Sequence, residues 1–363
     1  MSSRSGPLAG TRVVEFVSIG PGPHCAMMLA DLGAEVLRID RRGGNGWPNP
    51  VHDRGRSTLE VDIRTPEGRD QCLEALSLAD VLIEGMRPGV MERLGLGPET
   101  VLKRNPRLIY GRMTGWGQTG PMASMAGHDI NYIALAGALS PMGKPGEPAA
   151  VPLNLVGDFG GGSMLLTVGI CAALFERESS GLGQVIDAAI VDGVSSLMSF
   201  FDGLAGTLAL ERDRNLLGGA APFYRSYMCK DGREMSVGAL EPAFFKELIE
   251  ILQLPEFLDG QDPDNWLDLT NAMSERFREQ DQSHWIRLFD QTDACVVPVL
   301  TLEEAKLHPH LLARDAYVVA GDELQVSAVP RFSRTPGRAA LDQSGDAQEL
   351  LKSWRYGNKH PTK

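Results

Sequence analysis

Short apolar runs alternate with helical segments over the first part of the chain. Residues 11–17 (TRVVEFV) and 35–40 (EVLRID) are rich in β-branched side chains and predict strands. The apolar segment from Cys25 to Leu32, closed by Gly33, predicts a helix between them. A strand, a helix and a second strand in this order form a β-α-β unit, which is typical of a doubly wound parallel sheet.

The same alternation continues to about residue 210. Further strands are predicted at 59–63, 81–84, 108–113 and 183–190, and helices at 65–79, 163–177 and 190–210. Residues 42–56 are rich in Gly, Pro and Asn without periodicity, which predicts a long loop. Because ligands bind beyond the carboxyl ends of the strands in such sheets, the loops at these ends are candidate binding loops.

The pattern changes after a Gly- and Pro-containing segment at 212–223. A hairpin is predicted over Tyr224–Ala239, around Lys230-Asp-Gly232, and helices follow at 243–254, 266–280 and 284–291. With 363 residues the chain exceeds a single comfortable core. We therefore expect a large α/β domain from 1–211 and 330–363, a linker at 212–223, a small α+β domain at 224–315 and a return linker at 316–329.

The charge distribution indicates an anionic ligand near the first third of the chain. The formal net charge of −12 argues against nonspecific binding of nucleic acid. Residues 1–115 nevertheless hold 15 Lys and Arg against 14 Asp and Glu, whereas the remainder holds 20 against 33. Arginines concentrated in one part of an acidic protein are typical of an anion site, although ordinary surface ion pairs produce the same pattern.

The other compositional features predict a cytoplasmic protein without metal or membrane association. Five cysteines are scattered and never paired as C-x-x-C, so we expect reduced thiols and no zinc site. No apolar run is expected to reach the length that spans a bilayer, and the first residues lack a hydrophobic signal segment.

A partial dinucleotide fingerprint follows the first predicted strand. Gly20-x-Gly22 with an acid at Asp40 matches part of it, but Cys25 replaces the third glycine and two prolines interrupt the loop. The sequence therefore argues against a nicotinamide cofactor.

The candidate chemistry lies between Gly127 and Gly162. His128 and Asp129 stand side by side near the start of this stretch, and Asp158 precedes three glycines near its end. Two titratable groups from two segments are what two-base proton transfer requires. A structural histidine at a helix start and a turn-forming aspartate are the alternative interpretation, and spacing alone leaves both open.

Motifs in matching order over about residues 7–335 resemble the α-methylacyl-CoA racemase branch of the type III CoA-transferase superfamily. The motifs are GPGP at 20–23, RIDR at 38–41, RPGV at 87–90, ERLGLGP at 92–98, MTGWGQTG at 113–120, GHDINY at 127–132, PLNL at 152–155, GDFGGG at 157–162, GQVID at 183–187, VGALEP at 237–242 and DACVVPV at 293–299. The resemblance implies a Rossmann-like large domain that binds CoA, a smaller α+β domain and an interlocked homodimer.

The resemblance also implies roles for particular residues. His128 and Asp158 would be the acid/base pair, and Glu241 from the small domain of the other subunit would support the histidine. The positions matching CoA contacts are Arg41, Val61, Asp62, Ile63, Arg64, Gly85, Met86, Arg87, Arg93, Arg107, Gly127, Asp129, Ile130, Asn131 and Tyr132. No metal or redox cofactor is implied, because CoA is part of the substrate.

The implied reaction is interconversion of (2R)- and (2S)-2-methylacyl-CoA through an enolate. The glycines at 157–162 are expected to precede a helix, whose N-terminus would stabilise the enolate oxygen. The alternative is CoA transfer with Asp158 as nucleophile, and the third is acyl-CoA binding without catalysis. The His128-Asp129 pair favours the racemase. Gly218-Gly-Ala220 departs from the Asp-Gly-Gly usual in relatives, which leaves acyl preference open.

Overall fold

A computed structural model describes residues 5–44, 47–341 and 345–356 of the chain. The contacts divide it into two compact units. The first comprises the described residues within 1–136, 152–197 and 309–363, and the second comprises 137–151 and 198–308. These units are defined by contacts alone, and the division into domains and linkers stays a prediction.

Eleven strands occur in the described residues. They are β1 (Arg12–Phe16), β2 (Glu35–Asp40), β3 (Arg56–Glu60), β4 (Val81–Glu84), β5 (Ile109–Thr114), β6 (Val185–Ala189), β7 (Tyr224–Met228), β8 (Glu234–Gly238), β9 (Val296–Pro298), β10 (Tyr317–Ala320) and β11 (Glu323–Val326).

Fourteen α-helices and one π-helix occur in the same residues. The α-helices are α1 (Pro21–Asp31), α2 (Pro66–Leu78), α3 (Val90–Arg93), α4 (Pro98–Arg104), α5 (Asp129–Leu135), α6 (Leu165–Ser180), α7 (Ile190–Leu197), α8 (Ser199–Gly203), α9 (Pro242–Leu252), α10 (Trp266–Arg278), α11 (Gln282–Phe289), α12 (Leu302–Leu307), α13 (Pro309–Ala313) and α14 (Ala347–Tyr356). The π-helix covers Leu155–Met164 and runs directly into α6. Three short 3-10 turns lie in the second unit.

The first unit contains a parallel six-stranded sheet in the order β3-β2-β1-β4-β5-β6. Both faces are covered by helices, which confirms the predicted α/β class. Val14 on one face belongs to a core shared with α2, α4 and α14. On the other face, a Cβ at Gly111 would lie 3.0 Å from Leu166 of α6, so the missing side chain allows close packing. The order reverses between β1 and β4, which opens a crevice at the carboxyl ends of these strands.

The second unit contains the antiparallel sheet β7-β8-β9, packed against α9, α10 and α11. The hairpin predicted at 224–239 is confirmed by the pairing of β7 with β8. The core of the second unit is aromatic. The Phe277 ring is wholly buried beside Trp285 and stacks on the Tyr227 ring, with the ring centroids 5.1 Å apart. The segment predicted as a return linker, 316–329, contains the β10–β11 hairpin.

Two predicted boundaries in the first unit were wrong for identifiable reasons. Strand β3 begins at Arg56 rather than Leu59, because the buried Arg56 guanidinium donates to Glu15 Oε2 of β1 at 2.6 Å. A charged residue inside a sheet breaks the apolar pattern that marks a strand. Helix α1 begins at Pro21 rather than Cys25, since proline is tolerated in a first helical turn.

Later boundaries also differ from expectation. The helix after β6 was expected to reach about residue 210, but α7 and α8 end by Gly203. The C-terminal segment, predicted to belong to the large domain, contains α14, which buries Leu350, Leu351 and Trp354 in the core of the first unit.

The glycine run lies inside the π-helix rather than before a helix. The helical stretch begins at Leu155, so the N–H groups from Gly160 onward point along the helix toward carbonyls five residues earlier. The prediction that these glycines offer a helix N-terminus was therefore wrong for Gly160 to Gly162, whereas Gly157 lies in the first turn of the π-helix.

The continuous helical stretch Leu155–Ser180 is long and apolar enough to cross a membrane, judged by length and composition only. The expectation that no apolar run reaches spanning length was wrong for this stretch. Buried core helices pass the same test, and Leu166 and Ile170 of this stretch are wholly buried.

Candidate active site

A cavity of about 1210 Å³ lies at the carboxyl ends of the parallel strands in the first unit. The loops that follow β1 to β5 form most of its wall, as expected for a doubly wound sheet. Helix α5, the loop before it and the π-helix complete the wall through Tyr132, His128 and Asp158. The two candidate acid/base groups thus line one cavity, although they lie 30 positions apart in the chain.

Most residues predicted to contact CoA also line this cavity. They are Arg41, Val61, Asp62, Ile63, Arg64, Gly85, Met86, Arg87, Arg93, Gly127 and Tyr132. The structure brings these residues together at one cavity, and their roles stay predictions.

Five predicted site residues lie elsewhere. Arg107 precedes β5, at the amino end of the sheet, and donates to the Gly181 carbonyl at 3.1 Å. Asp129, Ile130 and Asn131 belong to α5 but do not line the cavity. Glu241 lies in the second unit, where it is the N-cap residue of α9, and its support of His128 stays a prediction.

Asp158 is half-buried on the π-helix. Asn154 Nδ2 donates a hydrogen bond to Asp158 Oδ2 at 3.1 Å. Burial raises the pKa of Asp158, the hydrogen bond from Asn154 lowers it, and the charge of Asp129 raises it again; the net shift is upward. A carboxyl group with a raised pKa is better able to return a proton as well as to take one.

His128 is the N-cap residue of α5 and is exposed to solvent. Its backbone N–H donates to Asn131 Oδ1 at 3.0 Å, so the helix start fixes its main chain while leaving the imidazole at the cavity wall. Asn131, which was predicted to contact CoA, therefore stabilises the start of α5 and does not line the cavity. An imidazole at a cavity wall is the side chain most often used as a general acid or base.

An aromatic pair closes the wall near His128. Trp116 and Tyr132 meet edge to face with ring centroids 4.7 Å apart, and the Tyr132 hydroxyl donates to the Gly127 carbonyl at 2.5 Å. A Cβ at Gly115 would lie 2.1 Å from the Tyr132 ring, so this position accommodates glycine alone without rearrangement. The pair holds the loop before α5 against the end of β5.

Five arginines line the cavity. Arg41 and Arg42 follow β2, Arg64 follows β3, and Arg87 and Arg93 follow β4. Arg64 is paired with Asp62, whereas Arg87 and Arg93 make no ion pair within residues 5–44, 47–341 and 345–356. Guanidinium groups without a carboxylate partner can bind phosphate oxygens in bidentate fashion.

The sequence reasoning missed two residues of this site. Asn154, which bonds to Asp158, lies four residues earlier, and its motif PLNL was noted only for family resemblance. Trp116 follows the strand predicted at 108–113, and this position at a strand end could have marked it as a residue of the site. A tryptophan in such a loop does not by itself show which residue it packs against. Chemically, the arrangement offers two proton-transfer groups beside an arginine-lined cavity.

Comparisons with known proteins show the family to which the chain belongs. The profile of CoA-transferase family III matches residues 8–343. The chain is 44% identical to the alpha-methylacyl-CoA racemase of Mus musculus, covering 91% of this chain and 87% of the relative. It is 42% identical to the alpha-methylacyl-CoA racemase of Homo sapiens, covering 91% and 90%.

A solved structure shares the fold. The CAIB/BAIF family protein from Brucella suis superposes with a TM-score of 0.82 at 26% identity, covering 97% of this chain and 99% of that one. Together with the family match over nearly the whole sequence, this shows that the chain belongs to CoA-transferase family III.

Proposed function

We propose that this protein is an isomerase that interconverts (2R)- and (2S)-2-methylacyl-CoA thioesters. One observation carries the proposal: His128 and Asp158 line the same arginine-bearing cavity. The named relatives at 42–44% identity support it, because both are racemases of this substrate class.

The proposed mechanism removes the α-proton from one face of the α-carbon and adds a different proton to the other face. A base on one face takes the α-proton, and the electron pair of the broken C–H bond forms an enolate with negative charge on the thioester oxygen. The acid on the other face then donates its proton to the α-carbon, which inverts the centre. His128 and Asp158 exchange these roles according to the enantiomer, and each typically contributes about 10²–10⁴ in rate.

CoA is proposed to lie along the arginines of the cavity, with its phosphates near Arg87 and Arg93. The acyl portion then reaches the wall formed by the π-helix and α5. The absence of a metal or redox cofactor and the cytoplasmic location remain predictions from the sequence.

A homodimer is proposed from the surface of α6. Val168 and Phe175 on this helix are 61% and 81% exposed, and Met164 and Leu165 at its start are also exposed. Large apolar side chains gathered on one exposed helix are typical of a protein interface. In the proposed dimer, Glu241 of the partner subunit would support His128.

Chiral analysis tests the proposed reaction. A single enantiomer of a 2-methylacyl-CoA, incubated without an acceptor acid, should convert to a mixture of both enantiomers with no loss of thioester. Retention of the starting enantiomer, together with CoA transfer once a free carboxylic acid is added, would contradict the proposal and assign Asp158 as a nucleophile.

A further inference from the structure

Asp129 links the two segments that carry the proposed bases. It follows His128 directly in the chain and is the first residue of α5. Its Oδ1 accepts a hydrogen bond from the backbone N–H of Asp158 at 2.7 Å. One carboxylate is therefore covalently next to one base and hydrogen-bonded to the main chain of the other.

The packing around this carboxylate is close. Asp129 is 6% exposed, and a Cβ at Gly157 would lie 2.3 Å from its Oδ1 and 3.1 Å from Ile133. Glycine at 157 thus allows the π-helix to approach α5 closely enough for the hydrogen bond. Asp129 is not among the residues that line the cavity, and its carboxylate contacts the site through the main chain of Asp158.

We propose that Asp129 is a positioning residue for the racemisation: its carboxylate fixes the main chain of Asp158 relative to His128 and places a negative charge behind Asp158. This inference rests on the proposed function, since it concerns the same two proton-transfer groups. It differs from the role implied by family resemblance, in which Asp129 contacts CoA.

The negative charge of Asp129 shifts the pKa of Asp158 in one direction. A carboxylate beside Asp158 disfavours its ionised form, so Asp129 raises the pKa of Asp158. Burial acts in the same direction and more strongly, whereas the hydrogen bond from Asn154 and the charge of His128 act against it. Removing the charge of Asp129 should therefore lower the pKa of Asp158.

Other titratable groups around the π-helix leave this direction unchanged. Tyr132 of α5 has a pKa raised by burial and stays neutral. The rings of His24 and His52 pack on Phe159 at 5.0 and 5.7 Å, and burial lowers the pKa of both, to about 4 for His24. Both histidines are thus neutral near pH 7.

Two substitutions separate the hydrogen bond from the charge. Asp129→Asn keeps a carbonyl oxygen to accept the Asp158 N–H but removes the charge. Oδ2 has no hydrogen-bond partner in the part of the chain that the structure describes, so an amide nitrogen there displaces no existing bond. Asp129→Ala removes both. Asp70→Asn, an exposed position on α2, is the control for net charge.

The experiment measures racemisation of each enantiomer of a 2-methylacyl-CoA as kcat and KM against pH. Asp129→Asn should retain most of kcat at its optimum, and the acidic limb of the profile should move to lower pH for the enantiomer that Asp158 deprotonates. Asp129→Ala should lose kcat on the order of 10²-fold with little change in KM, because a misplaced base slows the chemical step. Asp70→Asn should match the wild type.

Two results overturn the inference. One is a pH profile of kcat for Asp129→Asn that superimposes on the wild-type profile for both enantiomers. This result contradicts the inference even when Asp129→Ala does not fold. The other is a raised KM with unchanged kcat in both variants, which assigns Asp129 to CoA contact. A wild type that racemises no 2-methylacyl-CoA overturns the proposed function instead, and the inference with it.

Discussion

Arg112 donates a hydrogen bond to Glu84 Oε1 at 3.0 Å, and both side chains are almost completely buried. Glu84 is the last residue of β4, and Arg112 lies opposite it in the neighbouring strand β5. Arg112 also donates to Glu92 Oε1 at 2.8 Å, and Glu84 Oε2 accepts the backbone N–H of Met86 at 2.7 Å. The ion pair therefore supports, from behind the cavity, the segment that carries Arg87.

Breaking this pair should destabilise the protein. Arg112→Ala leaves the Glu84 carboxylate buried without its partner, so the free energy of unfolding should fall by about 3–5 kcal/mol. Urea denaturation measures the change. Glu250→Gln, which removes an exposed pair with Lys246 on α9, is the control and should change stability by less than about 0.5 kcal/mol. Equal losses in the two variants would contradict the prediction.

Asn154→Ala should move the acidic limb of the kcat/KM profile to higher pH. The amide hydrogen bond stabilises the ionised form of Asp158, so its loss raises the pKa of that carboxyl group. Since Asp158 must be ionised to act as a base, activity toward one enantiomer is then lost at a higher pH. This direction is opposite to that expected for Asp129→Asn, and a shift of both variants in the same direction would contradict the electrostatic account.

Gly115→Ala should lower both activity and stability. The added Cβ would lie within 2.1–2.3 Å of the Tyr132 ring and force the Trp116–Tyr132 pair to move. Such overpacking typically costs about 1–3 kcal/mol, which thermal unfolding would register. Gly203→Ala is the matched control, because nothing lies within 4 Å of its added Cβ. A Gly115→Ala protein as stable and active as this control would disprove the packing argument.

Arg87→Gln and Arg93→Gln should weaken CoA binding. A lost hydrogen bond between charged groups is worth about 1.5–3 kcal/mol, so KM should rise about tenfold or more in each variant while kcat changes little. The effect should shrink at high salt. Arg104→Gln, on the exposed side of α4, controls for charge. Unchanged KM values in both cavity variants would place CoA elsewhere.

Charges placed on α6 should dissociate the proposed dimer. The double substitution Val168→Glu and Phe175→Glu puts two carboxylates on the exposed apolar face. Sedimentation should change from twice the chain mass to the chain mass, and racemisation should fall if Glu241 acts across the interface. Val319→Glu, on the exposed β10–β11 hairpin, should leave the mass unchanged. A wild type that sediments at the chain mass would refute the dimer.

Regular elements with a clear apolar period could be predicted from the sequence. The strand at Val81–Glu84 and the helix that begins at Pro66, with Thr65 as its cap, are confirmed because one signal dominates each of them. Strand β3 was misplaced because burial of Arg56 depends on Glu15, which lies 41 positions away in the chain. Local pattern carries no information about such a pair.

The candidate site also has features that the sequence predicts and features that it does not. Its position at the carboxyl ends of the strands followed from the β-α-β pattern, and His128 and Asp158 followed from motifs. The π-helix could not be predicted, because a glycine-rich run favours a loop unless tertiary packing supports a helix. The contact between Asp129 and the Asp158 backbone depends on that packing, so sequence alone left Asp129 as a residue of the CoA site.

The most direct test of the proposed chemistry follows the α-hydrogen itself. One enantiomer of a 2-methylacyl-CoA is incubated in D₂O without an acceptor acid, and the product is examined by mass and chiral analysis. The account predicts deuterium at the α-carbon together with loss of chirality, both abolished in His128→Ala and Asp158→Ala. An α-hydrogen that never exchanges, with CoA transferred once a free carboxylic acid is added, would contradict it.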